Sequence, residues 1–254
     1  MPRRARCLQQ YKCTNILVGA TQEPIIGAPV MLDTLRHANV RPRSTATNVY
    51  EMLRSDIVLG VLRPQQPIRE AEIAAGLSVS RTPVREALLR LANLGLVEIF
   101  PQSGTVVAPI RVEKVKAAQL IREVVEVEVS RRACRAANQA DLDALAGIVD
   151  EQEFAAGRKD LRRFYELDEA FHRRIFATVD CLAAADELED MKAHLNRLRF
   201  VTVNWPNRSD AIIAEHRDIL AGLAAGDEDA AAMAMRNHLR TILQALDSFV
   251  ARTP

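Results

Sequence analysis

From residue 111 to residue 252 the sequence places apolar residues at helical spacing and offers almost nothing that alternates as a strand would. Helical stretches are predicted at about 111–138, 141–156, 160–178, 181–203, 209–224 and 227–252. The breaks between them are short: Asn138, Gly157, residues 204–208 with Pro206 inside, and Gly226-Asp227. Such residues interrupt helical hydrogen bonding and let the chain reverse, so consecutive helices lie side by side. Six helices joined in this way suit an antiparallel all-α bundle.

The preceding segment, residues 45–110, reads differently. Val49, Met52, Leu53 and Ile57 mark a first helix that Ser44 or Thr45 can cap and Gly60 ends. A turn-rich connector over residues 62–67 leads to a short second helix over 70–75, closed by Gly76-Leu77-Ser78, with Val79 buried in the turn. A third helix starts at Ser80, a good N-cap, with Pro83 in the first turn where its missing N–H does no harm. Val84, Ala87, Leu88 and Leu91 form its packing face, which turns Arg81, Thr82 and Arg85 outward together. After Gly95, residues 96–100 and 105–107 read as two strands joined by Pro101-Gln102-Ser103-Gly104. The expected fold is therefore mainly α, a winged helix-turn-helix at residues 45–110 followed by an antiparallel helical bundle at 111–254. Residues 1–44 lack periodicity and read as a flexible arm or non-native extension, with Met31 a candidate start.

Composition narrows the class. No apolar run approaches the roughly 18–20 residues of a membrane span, so the expected setting is the cytoplasm, with no membrane partner. Cys7, Cys13, Cys134 and Cys181 form neither a CxxC pair nor a compact disulfide framework and read as reduced thiols. The aromatic content of 4% argues against base-stacking surfaces for single strands. Residues 46–110 carry six basic and six acidic side chains, so charge alone does not single out DNA as a partner.

Geometry does. A short helix that follows a tight turn and precedes a hairpin can enter a major groove about 12 Å wide. Arg81 and Arg85 stand one turn apart at its start, beside the Ser80 and Thr82 hydroxyls. The run Ser80-Arg81-Thr82-Pro83-Val84-Arg85-Glu86-Ala87-Leu88, with the following Leu94-Gly95-Leu96-Val97 and a Gly-containing wing, resembles the recognition helix of the GntR family of transcription factors. The resemblance extends from about Val49 to Ile110. It implies that Ser80, Arg81, Thr82 and Arg85 meet double-stranded operator DNA and that Gly104 lets the wing tip approach the minor groove. Ala71 stands where some members carry a DNA-contacting arginine, and Gln65 stands where the connector usually has glycine.

The remainder, about residues 111–250, resembles the helical FCD ligand-binding domain of the FadR-like subfamily, in its VanR-type six-helix form. Asp168 and His172 are i and i+4, so both point at one spot. His216 and His238 lie about 10 and 12 residues either side of Gly226, roughly 15–18 Å along each helix, and come level in an antiparallel pair. These four stand where the resembling family places its metal ligands, an N3O set suited to Zn(II), Ni(II) or Mn(II). His37 and His194 lack such partners and are read as structural or exposed.

Arg122 is the one charged member of the stripe Val115, Ala118, Arg122, Val125, Val129 and needs a partner when buried. That partner is Glu126 or another acid, or, as the resemblance implies, the carboxylate of a small effector held beside the metal. Arg197 is a second effector candidate, with Arg199 a rival for its place. The expected function is a ligand-responsive homodimeric regulator, a repressor, sensing a small organic acid. The alternative is a metal-dependent hydrolase or lyase built on the Asp/His3 set, although no Glu is paired with the metal helix in motif fashion to serve as acid or base. A regulator whose metal is purely structural or buffered is the third reading.

Overall fold

The computed structural model describes residues 44–252. The expected N-terminal arm, Met31, Cys7, Cys13 and His37 lie outside the described residues. The head comprises α1 (Thr45–Val58), β1 (Pro67–Ile68), α2 (Glu70–Gly76), α3 (Arg81–Asn93), β2 (Val97–Phe100) and β3 (Gly104–Val107). Ser44 caps α1, its hydroxyl accepting from the Thr47 N–H at 3.2 Å. Leu53, Ile57, Val84, Ala87, Leu88, Leu91, Leu96 and Val107 close one core between α1, α3 and the sheet. Each large aliphatic side chain buried there stabilises the head by about 1.5–3 kcal/mol. A charge at Leu91 would therefore open it. Val79, expected in the turn, is half-buried and packs on this core.

The sheet has the order β1-β3-β2, all antiparallel, with Phe100 opposite Gly104 at the wing end and Pro67 opposite Val106. β1 is a correction: the connector expected only as a turn contributes a two-residue strand. Its bend is made by Gln65, which adopts φ 65° at the position where glycine is usual.

The second unit has seven helices where six were expected: α4 (Val112–Ala136), α5 (Gln139–Gly157), α6 (Leu161–Thr178), α7 (Leu182–Met191), α8 (Ala193–Val203), α9 (Arg208–Ala225) and α10 (Glu228–Arg252). The stretch expected as one helix over 181–203 breaks at Lys192. α5 opens with a reciprocal capping box between Asn138 and Asp141. α6 buries Phe164, Leu167, Phe171 and Ile175 on one face, against Leu145 and Val149 of α5 in the main core. Gly226, at φ 65°, ends α9 in the left-handed region and reverses the chain into α10. One turn earlier Gly222 brings the two helices together, since a Cβ there would sit 2.7 Å from the Ala231 Cα.

Candidate DNA-reading face and metal centre

α3 presents Ser80, Arg81, Thr82 and Arg85 to solvent, because Val84, Ala87, Leu88 and Leu91 occupy its other face. The Ser80 side chain makes no capping hydrogen bond. Arg85 Nε donates to Glu70 Oε2 at 2.7 Å, a surface ion pair between α3 and α2. Gly104, at the wing tip, has φ 104°, and nothing lies within 4 Å of where a Cβ would be. A non-glycine residue would be strained there, and backbone can approach a ligand closely without one.

Asp168 and His172 come from α6, His216 from α9 and His238 from α10, all four buried. One ligand atom from each lies within 4.8 Å of the others. The Nε2 atoms of His172 and His238 are 3.1 Å apart, and Asp168 Oδ1 is 3.6 Å from His216 Nε2. Phe171 stacks on the His216 ring at 4.2 Å and walls the cluster from the core.

The other nitrogen of each imidazole faces outward to an acceptor. His216 Nδ1 donates to Gln152 Oε1 at 2.8 Å and His238 Nδ1 to Glu215 Oε2 at 2.7 Å, while His172 Nδ1 lies 2.7 Å from Glu126 Oε2. The hydrogen bonds to Gln152 and Glu215 fix the tautomers of His216 and His238, so their Nε2 atoms face the cluster as acceptors, while Glu126 sets the charge beside His172. Burial, reinforced by neighbouring imidazoles and arginines, holds His216 and His238 well below the usual imidazole range; burial also lowers His172. Burial would raise the Glu126 carboxyl, but Arg122 and His172 beside it hold it well below the carboxylate range.

Three converging imidazole lone pairs are mutually repulsive without a cation or a proton between them. The buried His216 Nε2 has no hydrogen-bond partner. Ligand atoms around one ion with bonds of about 2.0–2.2 Å sit roughly 3–4 Å apart, so these residues fit a divalent cation.

Beside the cluster is a small cavity of about 30 Å³ bordered by Arg122, Tyr165, Asp168, Arg199, Arg208 and His238. Arg122 is buried, its Nε donating to Glu126 Oε1 at 2.6 Å while its Nη2 has no partner. Arg197 is a correction. It and Arg199 are two residues apart on α8 and leave on different faces. Arg197 Nη1 donates to the Ala108 carbonyl at 2.8 Å and does not border the cavity, whereas Arg199 does and touches both Asp168 and Glu169. Burial pushes the Arg199 guanidinium down to about 9. His194 is structural, as expected: its ring is buried and its Nδ1 accepts from the Arg111 N–H at 3.4 Å.

Gln152, Glu215 and Arg208 were not singled out in the sequence. Glu215 adjoins a ligand histidine, but Gln152 is one polar residue among many on α5, and only the fold reveals its role.

Residues 45–107 match the family described as bacterial regulatory proteins, gntR family, and residues 119–241 match the FCD domain. The chain is 35% identical over 198 residues to the HTH-type transcriptional repressor RspR of Escherichia coli (strain K12), covering 78% of this chain and 87% of that protein. It is 29% identical over 180 residues to the Nta operon transcriptional regulator of Aminobacter aminovorans, covering 70% and 83%. Among solved structures, a GntR transcriptional regulator from Rhodococcus sp. RHA1 aligns with TM-score 0.68 and 26% identity over 81% of this chain and 99% of that one. E. coli McbR/YncC aligns with TM-score 0.71 and 19% identity over 82% and 100%, a likeness of fold. The hydrolase or lyase alternative falls with these matches, and the chain belongs to the GntR family of bacterial transcription regulators, with a winged helix-turn-helix head joined to a helical FCD domain.

Proposed function

We propose that this regulator reads a pseudopalindromic operator as a homodimer and alters its grip when a small carboxylate binds over a divalent metal in the helical domain. The observation that carries the reading is the convergence of three histidine Nε2 atoms and Asp168, each imidazole oriented from behind by its own acceptor. Asp168, His172, His216 and His238 would hold the ion, Zn(II), Ni(II) or Mn(II), which would supply a Lewis-acidic anchor for one end of the effector carboxylate. Arg122 Nη2 and Arg199 border the adjoining cavity and supply the charge-assisted donors for that carboxylate.

On the head, Arg81 and Arg85 reach base edges, Ser80 and Thr82 reach phosphate, and Gly104 carries the wing backbone to the minor groove. The homodimer reading is supported by α4, where Leu120, Ile121 and Val124 form an exposed apolar stripe, Leu120 and Val124 at 66% and 65% exposure. A second copy of the same face would cover it. The relative RspR is named a repressor, and the same sign of control is proposed here.

The test is metal analysis of purified protein. Wild type is expected to carry about one divalent ion per chain and the variant His216→Ala/His238→Ala close to none, with helicity retained. Full retention by the variant would remove the site from the account. Thermal-shift screening of organic acids with and without added zinc then identifies the effector class.

A further inference from the structure

Helix α8 touches both halves of the molecule. Ala193 at its start is part of the head's core, His194 accepts from the Arg111 N–H, and Arg197 holds the Ala108 carbonyl. Further along, Arg199, Thr202 and Val203 border the cavity beside the metal ligands. The joint at the start of α8 is Lys192, whose side chain is buried.

Around that joint runs a continuous series of ion pairs. Arg199 Nη2 contacts Asp168 Oδ2 and its Nη1 contacts Glu169 Oε1. Glu169 Oε2 accepts from Lys192 Nζ at 2.8 Å, and Lys192 Nζ also lies 3.3 Å from Glu189 Oε2. Arg54 of α1 donates to Glu189 Oε1 at 2.8 Å and to the Glu189 carbonyl at 2.6 Å. Next to it the Tyr50 hydroxyl donates to Asp190 Oδ1 at 2.7 Å, and the Tyr50 ring lies 3.8 Å under the Arg90 guanidinium of the DNA-reading helix. Alternating charges thereby run from a metal ligand to Asp190, which lies 3.7 Å from Arg54 Nε, and the Tyr50 hydroxyl and ring make the last link to α3.

We propose that Lys192 is the coupling residue of this regulator: it passes a change at the Asp168/Arg199 end of the cavity to the Arg54 and Tyr50 contacts that dock the head on the helical domain. The inference rests on the metal-and-effector reading and assigns its route of regulation. A cation taken by Asp168 Oδ1 would draw charge from the Oδ2 that faces Arg199, and Arg199 would be drawn more strongly to Glu169 or to an incoming effector carboxylate. Glu169 then holds Lys192 differently, and Lys192, its side chain largely buried between two acids, shifts toward Glu189 and competes there with Arg54. Buried charges respond strongly to such exchanges because the local dielectric is low. The docking of α1 loosens, and the angle of the head changes with it.

The test uses the full-length chain, zinc chloride as the ligand probe, and a duplex enriched by the wild-type protein from a random library. Zinc affinity is measured by chelator competition and duplex affinity by fluorescence anisotropy with and without zinc. Wild type is expected to show a zinc-dependent change in duplex Kd within about 5- to 150-fold, the usual span of coupling between two sites. Lys192→Met is expected to keep zinc affinity within about threefold of wild type while the zinc-dependent change falls below about twofold. Should Lys192→Met lose its fold, Glu189→Gln interrupts the same series on the head side and carries the same expectation. A folded variant that keeps the full zinc response overturns the proposal. A wild type that takes up zinc without altering duplex affinity overturns the coupling and leaves the metal site standing; one that takes up no zinc overturns both.

Discussion

Gly222 offers a test of how the ligand histidines are brought level. In Gly222→Ala the added methyl would lie 2.7 Å from both the Cα and the backbone N of Ala231 and 3.1 Å from its Cβ. Carbon atoms pack comfortably at about 3.5 Å, so α9 and α10 must part by roughly 0.8 Å, because backbone cannot rotate aside. Overpacking of this kind costs about 1–3 kcal/mol, and the better helix propensity of alanine returns about 1 kcal/mol. The net loss is about 1 kcal/mol, or roughly 2–4 °C in Tm for a protein of this size. The effect on the site is larger. His216 lies six residues before Gly222 and His238 seven after Ala231, roughly 9–10 Å along each helix. A spread of several tenths of an ångström reaches the imidazoles, whereas metal–ligand distances tolerate only about 0.2 Å. Zinc affinity should fall by about 10- to 100-fold, as it does when the support of a ligand is disturbed. Circular dichroism melts and chelator competition read the two effects separately. A variant that binds zinc within twofold of wild type and melts no lower would refute the argument that close helix contact sets the ligand geometry.

Three further outcomes are expected. Arg85→Ala should weaken binding to the selected duplex by about 1–3 kcal/mol and relax its sequence preference, measured by anisotropy against single-base variants of the duplex, with unchanged helicity. Glu126→Gln removes the charge behind His172 and beside Arg122, so metal affinity should drop by about tenfold or more while the variant still folds; equal affinity would show that Glu126 does not orient the ligand. Burial, with Arg197 and Arg111 nearby, pushes His194 down to about 3, below the unfolded value near 6.5. The unfolded chain therefore takes up the extra proton first, and stability present above pH 6.5 is lost as pH falls toward 3. At pH 5 the share of His194 is about 2 kcal/mol, added to that of the other buried histidines, so in denaturant titration between pH 7 and pH 5 His194→Gln should lose about 2 kcal/mol less than wild type.

The readable parts of the molecule were those where local pattern and tertiary role coincide. The α3 face is visible because Pro83 and the spacing of Val84, Ala87, Leu88 and Leu91 are local, and what they leave outward follows. Asp168 and His172 share one helix face, and Gly226 announces the reversal that sets His216 against His238. The break at Lys192 was hidden because residues 181–203 contain neither Gly nor Pro; Glu169 of α6 and Glu189, three residues back, hold the joint. β1 was hidden for a similar reason, since two residues have no periodicity and become a strand only through β3. Arg197 and Arg199 could not be ranked from sequence, because both sit on a helix buried nearly all round.

The small strand β1 has a mechanical consequence for target choice. Pairing of Pro67 and Ile68 with β3, together with the Gln65 N–H donating to the Val107 carbonyl at 2.9 Å, stitches the hairpin to the segment that leads into α2. The wing is thus no free-hinged flap, and α3 and the Gly104 tip travel together. In the homodimer proposed above, moving one half-site by a single base pair would turn it by about 35° around the duplex. A head built this way meets that rotation only by swinging whole, so spacing tolerance is a property of the joint beneath it and not of the hairpin.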